Sequence, residues 1–258
     1  MYPTLHRILA DKEGGEVFTC FGPWHFFYIG LVIAAIAVLL LCFNKKDQST
    51  KDKLLNALVV IPFGLYMLDF FLMPFAYGEI DVDKLPFHAC TSMSVMCFVS
   101  RHDRHLGKYR LHFALFGLIS NMMYLVYPSG VMAYEIHPLS YRAVQTLVFH
   151  SAMMIYGVVA LLCDSERIQF KRCYRDVAIL GLLTLWAMLG NALYSGAAGE
   201  YDRDFNWFFV KEDPLDIFSE SIGRYIMPWL NILIFFAVEA LVYLLLHFVY
   251  RRRKAKNA

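Results

Sequence analysis

From Trp24 to Phe43 the chain runs without one Asp, Glu, Lys or Arg. As a helix rising 1.5 Å per residue that stretch is about 30 Å long, the thickness of a bilayer's hydrocarbon core. In lipid its backbone N–H and C=O groups can bond only within the helix, so no other secondary structure is open to it. Further apolar stretches follow at Leu54–Ala76, Pro86–Ser100, Leu111–Tyr127, Tyr141–Cys163, Val177–Ser195 and Tyr225–Tyr250. Pro62 and Pro74 are expected to bend the second, and Pro128 to end the fourth. Only 18% of the 258 residues are charged, and the mean hydropathy is +0.47. The expected fold class is all-α: a single polytopic domain over residues 1–258 with seven transmembrane helices and no soluble domain. Met1–Gly22 is mixed and polar and does not read as a signal peptide.

The cations between the stretches alternate in density. Lys45, Lys46, Lys51 and Lys53 follow the first span, and Arg101, Arg104, Lys108 and Arg110 follow the third. Arg167, Lys171, Arg172 and Arg175 follow the fifth, and Arg251, Arg252, Arg253, Lys254 and Lys256 close the chain. The intervening loops are poor in Lys and Arg. The positive-inside rule then puts the N-terminus outside and the C-terminus in the cytoplasm. Residues 1–23 become an external segment, 196–224 an external loop and 251–258 a basic cytoplasmic tail suited to anionic lipid. The loop 196–224 is acidic and carries Trp207, Phe208 and Phe209, a composition that suits the bilayer surface or a cover over a cavity.

This orientation gathers polar residues in the outer half of the bundle: His25, Asp69, His88, Cys90, Asn121, His150 and Asn191. A polar side chain at such depth costs free energy, so it marks either helix-to-helix hydrogen bonding or function. For Asn121 and Asn191 the bonding role is at least as good an explanation. Asp69 and His150 lie at similar depth, and a carboxylate near an imidazole suggests an oriented base. His25, at the membrane edge, reads equally well with or without a role. The six cysteines fall in no paired spacing, and no HxxxH or HExxH motif marks a metal site, so neither a metal nor another cofactor is expected.

The chemistry-bearing stretch is Leu85-Pro86-Phe87-His88-Ala89-Cys90-Thr91-Ser92-Met93-Ser94. Pro86 suits the first helical position, which places Cys90 about one turn inside, near the positive end of the helix dipole. A sulfur there suits nucleophilic chemistry. His88 and Cys90 are two residues apart and point to opposite sides of a helix, so His150, from another helix, is the better base. Thr91, Ser92 and Ser94 remain alternative nucleophiles.

Phe21-Gly22-Pro23-Trp24-His25, Leu85-Pro86-Phe87-His88-Ala89-Cys90 and His150, with Asn191 as a weaker match, make the chain resemble the YwaF-like bacterial membrane proteins, grouped with the transmembrane protein 164 family. The resemblance spans nearly the whole chain. It implies a lipid acyltransferase in a bacterial plasma (inner) membrane, with Cys90 as nucleophile, His150 as base and membrane phospholipids as substrate. It also implies kinship with the androgen-induced membrane hydrolases. The expected function is therefore acyl transfer or acyl hydrolysis through an acyl-enzyme, with Asn121, Asn191 or His88 as hydrogen-bond donors. The alternative is a small-molecule or proton-coupled transporter or receptor with a polar cavity open to the outer side. No nucleic acid or obligatory protein partner is implied.

Overall fold

The computed structural model describes residues 16–77, 82–128, 131, 136–194, 205–209 and 220–256. Among them every regular element is helical, and no strand occurs. The α-helices are α1 (Pro23–Asn44), α2 (Gln48–Leu58), α3 (Val60–Tyr77), α4 (Ala89–His102), α5 (Arg110–Val126), α6 (Tyr141–Cys163), α7 (Tyr174–Tyr194) and α8 (Glu220–Lys256). Val59 keeps helical geometry between α2 and α3, so the two run on as one arm.

Local chemistry sets these bounds. Pro23 opens α1 where a missing N–H costs nothing. Asp47 caps α2 by accepting from Thr50 N at 3.1 Å, and Ser140 caps α6 by accepting from Ala143 N at 3.4 Å. The sequence expectation holds to the residue for α6. It fails for the lysine-rich loop after α1: Gln48–Leu58 is helical, so the loop contracts to the few residues before Gln48. Residues 251–256 of the basic tail continue α8 as helix. Residues 1–15 and most of 196–224, both read from sequence as external, lie outside the described residues.

Five stretches are long and apolar enough to cross a membrane: α1, Gln48–Leu72, α6, α7 and Tyr225–Arg252. The chain is thus a multi-pass membrane protein. The other two expected spans are shorter helices, α4 with 14 residues and α5 with 17.

The chain divides into two compact units. The first comprises residues 1–85 and 93–167, the second residues 86–92 and 168–258. In the first, α5 and α6 form the interior. Nearly the whole of α5 from Leu111 to Ile119 is buried, and α6 is 56% buried against 17% for α1. Glycines permit the close approach. A Cβ on Gly157 would lie 2.8 Å from Leu118 Cβ and 3.0 Å from the Ala114 carbonyl oxygen, so only hydrogen fits there. Phe18, Tyr28 and Val32 pack with Leu125, Ala143 and Leu147. The remaining face of α1, with Phe26, Leu31, Ile33 and Leu41, is exposed as a lipid-facing helix requires. The second unit is built from the Pro86–Ser92 turn, α7, a short 3-10 turn at Trp207–Phe209 and α8.

Candidate functional site

The cysteine element folds differently from the sequence expectation. Pro86 is not the first helical residue. It stands three residues ahead of α4, and Cys90 is the helix's second residue. The carbonyl of His88 accepts from Ser92 N at 2.9 Å and opens the helix, which leaves the half-buried Cys90 among the amides of the first turn. Two donors fix the preceding turn through one acceptor, the Pro86 carbonyl: Ser92 Oγ at 2.5 Å and Trp186 Nε1 at 2.7 Å. The hydroxyl of Thr91 donates to the His88 carbonyl at 3.1 Å. Thr91 and Ser92 thus both serve the turn's backbone.

Around this turn the second unit assembles an aromatic cluster. Phe87 stacks on Trp186 and on Trp207, each with ring centres 4.8 Å apart. Gly190 makes room for it, since a Cβ there would fall 2.5 Å from the Phe87 ring. Asn191 clasps Trp207 from both sides of its backbone, accepting from Trp207 N at 2.9 Å and donating to its carbonyl at 3.2 Å. The next residue, Phe208, adopts a left-handed backbone (φ 59°), and its carbonyl accepts from Asn231 Nδ2 at 2.9 Å. Asn191, foreseen as bonding glue or as an oxyanion donor, has its amide oxygen and one of its two amide hydrogens on the Trp207 backbone. Trp207 is 1% exposed, so it does not lie on the bilayer surface. From sequence it stood out only as one of three aromatics suited to the bilayer surface or to a cover over a cavity. The only signal was a set of aromatics in an otherwise acidic stretch.

His150 lies in the first unit, on the interior helix α6. Its Nδ1 is 2.7 Å from Asn121 Oδ1 on α5. The orientation of that amide is not arbitrary, because Asn121 Nδ2 donates to the Gly117 carbonyl at 2.7 Å. The oxygen facing His150 can therefore only accept, so Nδ1 carries the proton and the lone pair of the neutral ring is on Nε2. Tyr124 stacks on the imidazole with centres 3.7 Å apart. Gly117, Asn121 and Tyr124, spaced four and three, share one face of α5; that spacing was the available signal for Tyr124.

Asp69 does not orient His150. Its carboxylate pairs with Lys84 Nζ at 2.7 Å and accepts from Tyr141 Oη at 3.1 Å. The partner expected for it from depth alone belongs instead to Asn121. Nor does Asn121 act as an oxyanion donor, since its amide hydrogens face Gly117 and Ser120. His25 is a structural clip. Fully buried, it accepts from Phe21 N at 2.9 Å through Nδ1, so its Nε2 donates to the Leu125 carbonyl at 2.6 Å. This explains the Phe-Gly-Pro-Trp-His sequence: Phe21 takes a left-handed backbone (φ 57°) and its N–H turns back to the ring. His88 meets Trp207 edge to face at 6.5 Å.

A further polar feature lies where the basic loop meets the end of α6. Asp164 is fully enclosed and pairs with Arg101 and, at 2.8 Å, with Arg110; Arg101 Nε also donates to Tyr156 Oη at 3.0 Å. Burial opposes its ionisation, but the Arg110 hydrogen bond and the Arg101 charge prevail and hold the Asp164 carboxyl below its usual range. Beside it is an open cleft of about 560 Å³, lined by Asp52, Ser100, His102, Arg104 and Lys108 among others. None of the residues foreseen from sequence lines it. Among the described residues no three His, Cys, Asp or Glu side chains gather as a metal ion would require.

The family model of the TMEM164 family matches residues 20–250 of the chain. No curated protein and no solved structure matches it.

Proposed function

The chain belongs to the TMEM164 family, and from that membership we propose that it is a membrane-embedded lipid acyltransferase or acyl hydrolase. Cys90 is the nucleophile and His150 the base. The observation that carries this reading is the tautomer of His150: the Asn121 amide sets the proton on Nδ1 and the lone pair on Nε2.

In the first step the Cys90 thiol proton passes to Nε2 of His150. The sulfur attacks an ester carbonyl of a phospholipid, a C–S bond forms, and the C–O bond to the glycerol breaks. The leaving alkoxide takes the proton from His150. In the second step a lysolipid hydroxyl, or water, gives its proton to His150 and attacks the thioester carbonyl; a C–O bond forms, the C–S bond breaks, and the departing thiolate takes the proton from His150. With the N-terminus outside, as the loop cations indicate, the turn before α4 faces the outer leaflet of the plasma membrane. The groups required are then a nucleophile, a base and donors to the oxyanion.

The test is capture of the acyl group. Purified protein incubated with a phospholipid bearing a labelled acyl chain should form a hydroxylamine-sensitive adduct on Cys90. Cys90→Ala should abolish it, and His150→Gln should slow its formation. Full acyl transfer by Cys90→Ala would sink this reading and leave the binding or transport alternative.

A further inference from the structure

The second unit contains a buried donor that acyl transfer through Cys90 does not use. The indole Nε1–H of Trp207 meets no acceptor among the described residues, although the residue is 1% exposed. Such groups are uncommon, because the hydrogen bond lost from water is not replaced. A side chain free to rotate would resolve the deficit, and this one is not free to do so. Asn191 holds its backbone at both N–H and carbonyl. Phe205 and Phe87 stack on its ring at 4.5 Å and 4.8 Å. The chain even accepts a left-handed backbone at Phe208, anchored by Asn231, directly after it. The stack covers the faces of the ring, so an acceptor can meet the N–H only in the ring plane, at the enclosed edge.

Depth narrows the choice of ligand. Asn191 is three residues before the end of α7, and Asn231 six residues after Tyr225, where the apolar part of α8 starts. At 1.5 Å per residue these positions lie about 5–9 Å inside the ends of the two apolar spans. That is the boundary between hydrocarbon and head groups, where the acceptors of a phospholipid are its ester carbonyls and where tryptophan is favoured. The turn against Trp207 is Phe87–His88, two residues ahead of Cys90.

We propose that Trp207 is a lipid-binding residue whose indole N–H holds an ester carbonyl of a phospholipid beside the Pro86–Cys90 turn. The inference shares with the proposed function the class of ligand but not the chemistry of Cys90. The bond positions the ester, and by withdrawing electron density from the carbonyl it also favours attack at its carbon.

The experiment compares two lipids on the full chain in detergent by native mass spectrometry: a diacyl phospholipid and its dialkyl ether analogue, with the same chains and head group. The unaltered protein should bind the ester about fivefold more tightly than the ether, as one hydrogen bond allows. Trp207→Phe, which keeps an aromatic ring and deletes the N–H, should bring the two affinities within about twofold. Replacement of Trp207 by benzothienylalanine, which puts sulfur in place of the N–H at nearly the same shape, should do the same with the melting temperature unchanged or raised. It serves if the Phe variant does not fold. An ester preference that survives either replacement, or is absent from the unaltered protein, overturns the proposal. Acyl capture on Cys90 in the same preparations separates the two readings. A Trp207-dependent ester preference without any capture overturns the enzyme and leaves the lipid site. Capture at the unaltered rate in the benzothienylalanine protein overturns Trp207's role and leaves the enzyme.

Discussion

The helix α6 serves two buried polar clusters of opposite character. Just past its end, Asp164 takes Arg101, Arg110 and the Glu166 N–H, the last at 2.8 Å. In its interior, His150 has an amide on one nitrogen and a phenol ring on its face. The first cluster is made of full charges, in which Asp164 and the Glu166 carboxylate, 3.2 Å from Arg110, offset the two arginines. The second is made of neutral groups. Their positions account for the difference. Charges close to a helix end can draw on loop amides and solvent, whereas in the hydrocarbon an unneutralised charge is far costlier than a neutral dipole. The first arrangement ties the loop before α5 to the end of α6. The second fixes which nitrogen of one ring keeps its lone pair.

The sharpest way to break the comparison is to remove the shared anion. Asp164→Ala leaves Arg101, whose side chain is 3% exposed, without its countercharge. Removal of one partner from a buried ion pair costs about 3–5 kcal/mol. The expected result is a large fall in melting temperature in detergent, with acyl capture on Cys90 retained in whatever fraction stays folded. A thermally unaffected variant would show that the cluster is not what ties the loop down.

His150→Gln makes the converse claim. It should lower acyl capture by about 10²–10⁴-fold, the usual contribution of a general base. The melting temperature should stay near that of the unaltered protein, because glutamine still offers its N–H to Asn121. Asn121→Ala should have a smaller effect, about 10–100-fold on the rate, as the loss of an orienting partner has at other sites. His25→Gln separates the two histidines: it should lower stability and leave the rate per folded molecule unchanged. A rate loss at His25 as large as that at His150 would remove the distinction between clip and base.

Much of this arrangement was legible in the sequence, and the losses have identifiable causes. The bounds of α6 follow from a largely apolar run between Ser140, its cap, and Asp164, so they were readable. The start of α2 was hidden because its lysines resemble a loop, while Asp47 as cap and an amphipathic pattern made it a helix. Depth along the spans put Asp69 and His150 on a common level. It could not show which faces meet, and Lys84, in the loop before Pro86, took the carboxylate. The burial of Trp207 depends on two asparagines distant in sequence, and nothing local announces such a clasp.

The smallest expected effect concerns pH and again sets the charged cluster against the neutral one. Because its native environment holds the Asp164 carboxyl below the ordinary aspartate value of 3.8, the folded state releases its proton more readily than the unfolded chain. The stability this gives is fully present above about pH 4. It declines only as the pH falls below that value and through the lower native one. The contribution of Asp164 to the melting temperature should therefore be constant from pH 7 to about pH 4 and should fall away below it. Asp164→Asn starts from a lower melting temperature and should lose part of that acid limb, since asparagine has no proton to gain. An equally steep limb in the variant would assign it to other carboxylates and leave the Arg101–Asp164–Arg110 cluster with a structural role that acid does not reach.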